Sequence, residues 1–188
     1  MRRLVFGLLL ISLASTPALS SECKSLSKAR AGLDLVWANT NQRVERAFDD
    51  VRWVSRDYRP VVLCEFASEI YAAFAAPLAA GRYAIVLRSG LPDMFTDSEL
   101  RAVIGHEVAH IVLGHNSNFG AFAGPDISRM QKHELEADAL SARWFGAGAA
   151  ASAAEKFLSA FPDFRSPLTE ERIAVLRKLQ KDSAGPYE

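Results

Sequence analysis

His106-Glu107-Val108-Ala109-His110 sets two imidazoles four residues apart with a carboxylate beside the first. On a helix of about 3.6 residues per turn, His106 and His110 project from one face, close enough for both rings to reach one Zn²⁺. Glu107 sits next to that face, where it can take a proton from a water at the ion instead of binding the ion, the division of labour of a hydrolytic zinc site. The pattern fixes few residues and arises by chance on the order of once in a few hundred chains of this length, so its surroundings carry the reading. Thr96 with Glu99 makes a capping box, Asp97 lies in the first turn, and Gly114 offers a stop, which predicts a helix from about Asp97 to Leu113. Leu100, Val103, Ile104, Val108, Ile111 and Val112 give it a wide apolar face, so the motif belongs to a core helix.

Two histidines and a water leave a tetrahedral zinc one protein ligand short. The stretch His133-Glu134-Leu135-Glu136-Ala137-Asp138 supplies a candidate, with Glu134 and Asp138 on one helix face among the apolar Leu135, Ala139 and Leu140. Standing alone, such a pair reads as solvated surface. After an H-E-x-x-H motif, Glu134 reads as the third ligand and Asp138 as the carboxylate that orients a ligand histidine through its other ring nitrogen. His115 reads as a helix-end histidine satisfying C-terminal carbonyls. His133 reads as a surface or supporting residue, because adjacent helical side chains diverge by ~100°.

With these residues in hand, the sequence resembles the gluzincin metallopeptidases typified by the HtpX-like membrane proteases, the CAAX prenyl protease and periplasmic zinc proteases. Their pattern is H-E-x-x-H followed by E-x-x-A-D, and Glu134-Leu135-Glu136-Ala137-Asp138 is similar to the second part. Upstream, Ala73-Phe74-Ala75, Gly81, Ile85-Val86-Leu87 and Gly90-Leu91 resemble the family's edge strand and the turn into the motif helix. Downstream, Ser166-Pro167, Glu171-Arg172-Ile173 and Leu176 resemble its His-Pro-(four residues)-Arg-Ile segment. The resemblance covers roughly Val61 to Leu176 and implies a zincin-like metallopeptidase domain holding one Zn²⁺ per chain, with Arg172 in a catalytic role at the oxyanion. Two positions depart from the family: Ala72 stands where many relatives have Asn, and Ser166 where they have the His of His-Pro. Loss of one oxyanion donor typically slows such chemistry by ~10²–10³. Either turnover is slow, or Ser166, Arg172 and zinc suffice.

Met1 to Ser20 reads as a secretory signal peptide, with Arg2 and Arg3 at its start, an apolar stretch from Leu4 to Ala14 and a small-residue site at Ala18-Leu19-Ser20. Its apolar run is too short to span a bilayer, which takes about 20 residues. Residues 21–188 then form one domain with no integral membrane segment, periplasmic or secreted. The 22 basic and 22 acidic residues balance, and no basic stretch is interleaved with aromatics, so nucleic acid is not an expected partner. Oligomeric state is not legible. Cys23 and Cys64 are the only cysteines. In an oxidising compartment they form one disulfide; the competing reading has Cys64 as a buried thiol and Cys23 loose.

Along the chain, Ser25 to about Arg56 reads as one long helix or two, Val61 to Phe66 and Tyr83 to Arg88 as strands, and Asn116 to Pro125 as a flexible loop. Ile127 to Phe145 is the Glu134 helix, Gly146 to Ala154 a helix junction, Ser152 to Phe161 a short helix and Thr169 to Lys181 the last one, with a frayed tail from Asp182. The whole is a helix-rich α+β domain with a small sheet and an edge strand beside the H-E-x-x-H helix. Tyr83, Ile85 and Leu87 on the Tyr83–Arg88 strand are the candidate substrate contacts, since an edge strand can hold an extended peptide over a metal; a purely structural strand is the alternative. The leading expectation is a zinc endopeptidase acting on unfolded or damaged polypeptide. The alternatives are a weakly active zinc-binding relative serving as chaperone or assembly factor, and a structural module in which the motif is coincidental.

Overall fold

The computed structural model describes residues 23, 24, 26, 36–39, 41–66, 73–115 and 127–183. The expected signal peptide, the loop from Asn116 to Pro125 and the end of the tail lie outside them. Four strands form one mixed sheet: β1 (Val36–Ala38), β2 (Val61–Phe66), β3 (Ala73–Pro77) and β4 (Tyr83–Arg88), in the order β1-β2-β4-β3. Among the described residues, the long helices that accompany it are α1 (Gln42–Ser55), α2 (Asp97–Val112), α3 (Ile127–Phe145), α4 (Ala147–Ala160) and α5 (Pro167–Ser183). Among the described residues, no helix is long and apolar enough to cross a membrane.

The period of two along the strands sorts their side chains onto two faces. Leu63, Ala73, Ala75, Ile85 and Leu87 face the core built with α1 and α2, where Val44, Phe48, Val51, Leu100, Ile104 and Val108 pack. Val62, Cys64, Phe66, Phe74, Ala84 and Val86 face the opposite way, where Cys23 and Leu26 cover them. Cys23 and Cys64 are joined in a disulfide, which ties the N-terminal segment to the back of the sheet.

The sheet order corrects the assignment of substrate contacts to Tyr83, Ile85 and Leu87. β4 is an interior strand, paired in parallel with β2 (Leu63↔Ile85) and antiparallel with β3 (Ala75↔Ile85), so neither of its edges is open to an added peptide. Ile85 and Leu87 are fully buried. A continuous apolar run such as Ala84-Ile85-Val86-Leu87 marks a strand covered on both faces. The strand at the edge beside α2 is β3, short, alanine-rich and closed by Pro77, all features of an edge.

A second correction concerns the N-terminal helix. Val36–Ala38, expected as helix, is a strand antiparallel to β2, and α1 begins after it at Gln42. The cause is the pair of asparagines. The Asn39 side chain accepts from the Asn41 backbone N–H at 2.8 Å, and Asn41 accepts from Arg43 at 2.9 Å as the helix cap, so side chains take up the donors that a continuous helix would have used. Residues 27–35 of the expected helix lie outside the described residues. The Gly146–Ala154 run, expected as a junction, is helix from Ala147 onward, as alanine's high helix propensity allows; only Gly146, at φ 91°, makes the turn. Ala147, Ala151 and Ala153 are buried, and small side chains there let α4 lie against α2 and α3.

α2 is the axis of the domain, packed against α1, α3, α4, β3 and β4. Its capping box is formed: Thr96 Oγ1 accepts from the Glu99 N–H, and Glu99 Oε2 accepts from the Thr96 N–H at 2.7 Å. Glu99 also accepts from Ser152 at 2.6 Å and Lys156 at 2.7 Å, joining the start of α2 to α4. Val112, expected inside, is exposed on the last turn. Gly105, one residue before the motif, explains how close α3 comes. A Cβ there would stand 2.9 Å from the Phe145 ring and 3.0 Å from Ser141 Oγ, and Ser141 donates to the Ala102 carbonyl at 2.7 Å.

Candidate metal centre

The α2–α3 contact brings the motif to the acidic helix. His106 Nε2 and His110 Nε2 are 3.0 Å apart, and Glu134 places Oε2 3.3 Å from the first and Oε1 3.4 Å from the second. Ligand atoms held tetrahedrally at ~2.0–2.1 Å from one zinc lie ~3.3–3.4 Å from each other. Three such donors, each within 4.8 Å of the others, therefore fit zinc in spacing and in kind. The ring nitrogens facing away from this triangle are engaged: His106 Nδ1 lies 2.8 Å from Asp138 Oδ1, and His110 Nδ1 lies 3.0 Å from His115 Nδ1. With protons on both Nδ1 atoms, two Nε2 lone pairs face each other at 3.0 Å, an arrangement that requires a cation or a proton between them. When a proton fills that place, burial opposes the imidazolium, but Asp138 and Glu134 outweigh it and push His106 up to about 10.

Arg172, from α5, closes the cluster. Its Nε and Nη2 donate to both Asp138 oxygens at 2.7 and 2.9 Å, and Nη1 lies 2.8 Å from Glu134 Oε2. Burial works against its charge, but the hydrogen bonds and charge of Asp138 hold it firmly protonated. Burial likewise opposes ionisation of Glu134 and Asp138; His106, His110 and Arg172 reverse that at Glu134, and His106 and Arg172 at Asp138, so both carboxyls are held well below the usual range. Glu107 is buried on the same helix, and burial pushes it above the ordinary carboxylate value while the neighbouring imidazoles pull it down. That is a suitable setting for a general base.

His106, Glu107, His110, Glu134, Asp138 and Arg172 line one cavity of about 370 Å³, whose other walls are mostly apolar, with Phe95, Phe157 and Leu158 among them. The β3 residues Ala73 and Ala75 lie along it, so the edge strand, which has no second neighbour among the described residues, borders the site.

Arg172 stands within this cluster, held by two carboxylates. Ser166 does not. It is exposed, its hydroxyl accepts from the Thr169 N–H at 3.2 Å, and its own N–H donates to Thr169 Oγ1 at 2.8 Å, so it caps α5 instead of facing the cavity. His115 also departs from expectation. Its two nitrogens go to His110 and to Glu136 Oε2, at 3.2 Å, and not to helix-end carbonyls. The His115–Glu136 pair and Gly105 are absent from the sequence reading. A signal existed for Gly105, a costly helix-interior residue beside the motif.

An H-E-x-x-H helix crossed by an acidic helix, beside a small mixed sheet, is an arrangement that suits a hydrolytic zinc site. Residues 38–124, a little under half of the chain, match the family described as peptidase family M48. The match ends before α3, so Glu134 and Asp138 join the site through geometry. A 27-residue stretch is 67% identical to Metalloprotease LoiP of Escherichia coli (strain K12). It covers 14% of this chain and only 11% of LoiP.

Proposed function

We propose that this chain is a zinc-dependent endopeptidase acting on unfolded or damaged polypeptide in the periplasm or outside the cell. The observation that carries the proposal is the donor triangle of His106, His110 and Glu134 in one cavity with the buried Glu107, bordered by the edge strand β3. Bound zinc would polarise the scissile carbonyl and lower the pKa of water at the site. Glu107 would serve as the general base and acid of the site, its carboxylate taking a proton from a water in the cavity and giving it to the leaving amine. Asp138 orients His106, and Arg172 holds Glu134 and Asp138 in place while lining the cavity in which the oxyanion develops. An extended chain pairs with β3, a mode that suits unfolded substrates because a folded one has no free backbone to offer. The Cys23–Cys64 disulfide supports an oxidising compartment.

The test is Glu107→Gln. The variant should bind zinc with unchanged stoichiometry and fold normally, while cleavage of a fluorescently labelled unfolded polypeptide falls ~10²–10⁴-fold. Unchanged cleavage in a folded, zinc-loaded variant defeats the mechanism.

The position of Ser166, exposed and committed to capping α5, favours a second reading. Without the family's histidine donor at the cavity, the same site and edge can hold client chains with little hydrolysis. On that reading Glu107→Gln retains the cellular function.

A further inference from the structure

We propose that His115 is a positioning residue for the metal centre: it accepts the Nδ1 proton of His110 and passes the constraint on to Glu136, so that a carboxylate steers this ligand through a second imidazole. The inference rests on the zinc site proposed above.

To bind a metal through Nε2 as a neutral ring, a histidine must carry its proton on Nδ1, and that proton needs an acceptor. His106 has the ordinary solution, a carboxylate at 2.8 Å. His110 meets another ring nitrogen, His115 Nδ1, at 3.0 Å. For His115 Nδ1 to accept, its own proton must sit on Nε2, and that nitrogen lies 3.2 Å from Glu136 Oε2. The chain of bonds is then fully determined: His110 Nδ1–H donates to His115 Nδ1, His115 Nε2–H donates to Glu136, and His110 Nε2 is left bare toward His106 and Glu134.

The surroundings hold His115 in this pose. Its ring stacks on that of His133 with centroids 4.0 Å apart and planes 2° from parallel, and its side chain is 7% exposed although it lies just past the end of α2. His133 and Glu136 both belong to α3, the helix that carries Glu134. A shift of α3 against α2 therefore disturbs a ligand and the support of another ligand together.

The experiment is zinc affinity, measured by competition with a chromophoric chelator in the full chain and in two variants. His115→Phe keeps a ring to stack on His133 but cannot accept a proton. His115→Asn places an amide oxygen near the position of Nδ1. Loss of such support typically weakens binding 10–100-fold. The Phe variant should show that loss with an unchanged melting temperature of the metal-free protein, and the Asn variant should recover most of it. Wild-type affinity in the Phe variant, or equal loss in both, overturns the inference and leaves the zinc site standing. Failure of the wild-type protein to bind zinc overturns the site and this inference with it. Should the Phe variant misfold, ¹⁵N-resolved imidazole NMR of the zinc-loaded wild type decides: a proton on His110 Nδ1 with His115 protonated at Nε2 supports the relay, and a His115 proton on Nδ1 refutes it.

Discussion

His106 Nδ1 and Asp138 Oδ1 lie 2.8 Å apart across the contact between α2 and α3, which makes Asp138 the group that sets the orientation of the first motif histidine. Asp138→Asn replaces the charged acceptor with a weaker one that also serves Arg172 less well. Zinc affinity should fall about 10–100-fold while the helical circular dichroism is preserved, as a chelator competition would show. Undiminished affinity would mean that the carboxylate serves Arg172 alone.

Gly105 permits that contact. Gly105→Ala would ordinarily stabilise a helix by up to about 1 kcal/mol, but here the added methyl meets Phe145 and Ser141 at 3.0 Å or less. Overpacking of this kind costs about 1–3 kcal/mol. Urea unfolding should show net destabilisation, with weakened zinc binding because α3 carries Glu134. A more stable variant would show that the Phe145 ring yields freely.

Arg172 neutralises two buried carboxylates. Arg172→Met retains much of the volume but leaves Glu134 and Asp138 facing each other, and removing one partner of a buried ionic cluster costs about 3–5 kcal/mol. The metal-free variant should melt well below the wild type, and zinc should recover a larger share of stability in the variant than in the wild type, because the ion supplies the missing positive charge. Thermal melts with and without zinc test both halves.

Glu99 makes acid stability predictable. Burial opposes its charge, but Lys156, Ser152 and Thr96 outweigh that and bring it from the ordinary 4.5 down to about 2. A depressed folded-state pKa gives stability that is present above pH ~4.5 and is lost as pH falls toward ~2, on the order of 3 kcal/mol. Glu99→Gln should lower stability at neutral pH and flatten the dependence on pH across this window. An equally steep acid transition in the variant would assign the loss to other carboxyls.

The disulfide closes a loop between residues 41 positions apart. Cross-linking a loop of this length stabilises by about 2–4 kcal/mol through the unfolded chain. A Cys23→Ser and Cys64→Ser double variant should unfold at lower urea concentration, yet bind zinc as tightly, because both cysteines lie on the sheet face away from α2. Lost zinc binding in a folded variant would couple the two faces.

The local elements were legible in the sequence. α2 begins at its capping box, α3 spans Ile127–Phe145, and β2 and β4 have the predicted bounds, because caps, glycines and hydrophobic period act within a few residues of each other. The candidate donors were legible for the same reason: a four-residue spacing on a helix is already a shared face, so His106 with His110, and Glu134 with Asp138, needed no tertiary information to be paired.

Tertiary structure alone decided which partners meet across elements. β4 became an interior strand and β3 the edge, because the apolar run at Ala84–Leu87 is buried best when strands flank it on both sides and covers lie on both faces. Local pattern reports how apolar a strand is, not which neighbours it takes. Arg172 reaches Asp138 from 34 residues away, and His115 meets Glu136 and the back of His110 only because Gly105 lets α3 lie close against α2. Periodicity carries a side chain to a face; the packing of one face on another, set by volumes and the avoidance of unpaired buried charge, determines what it touches there.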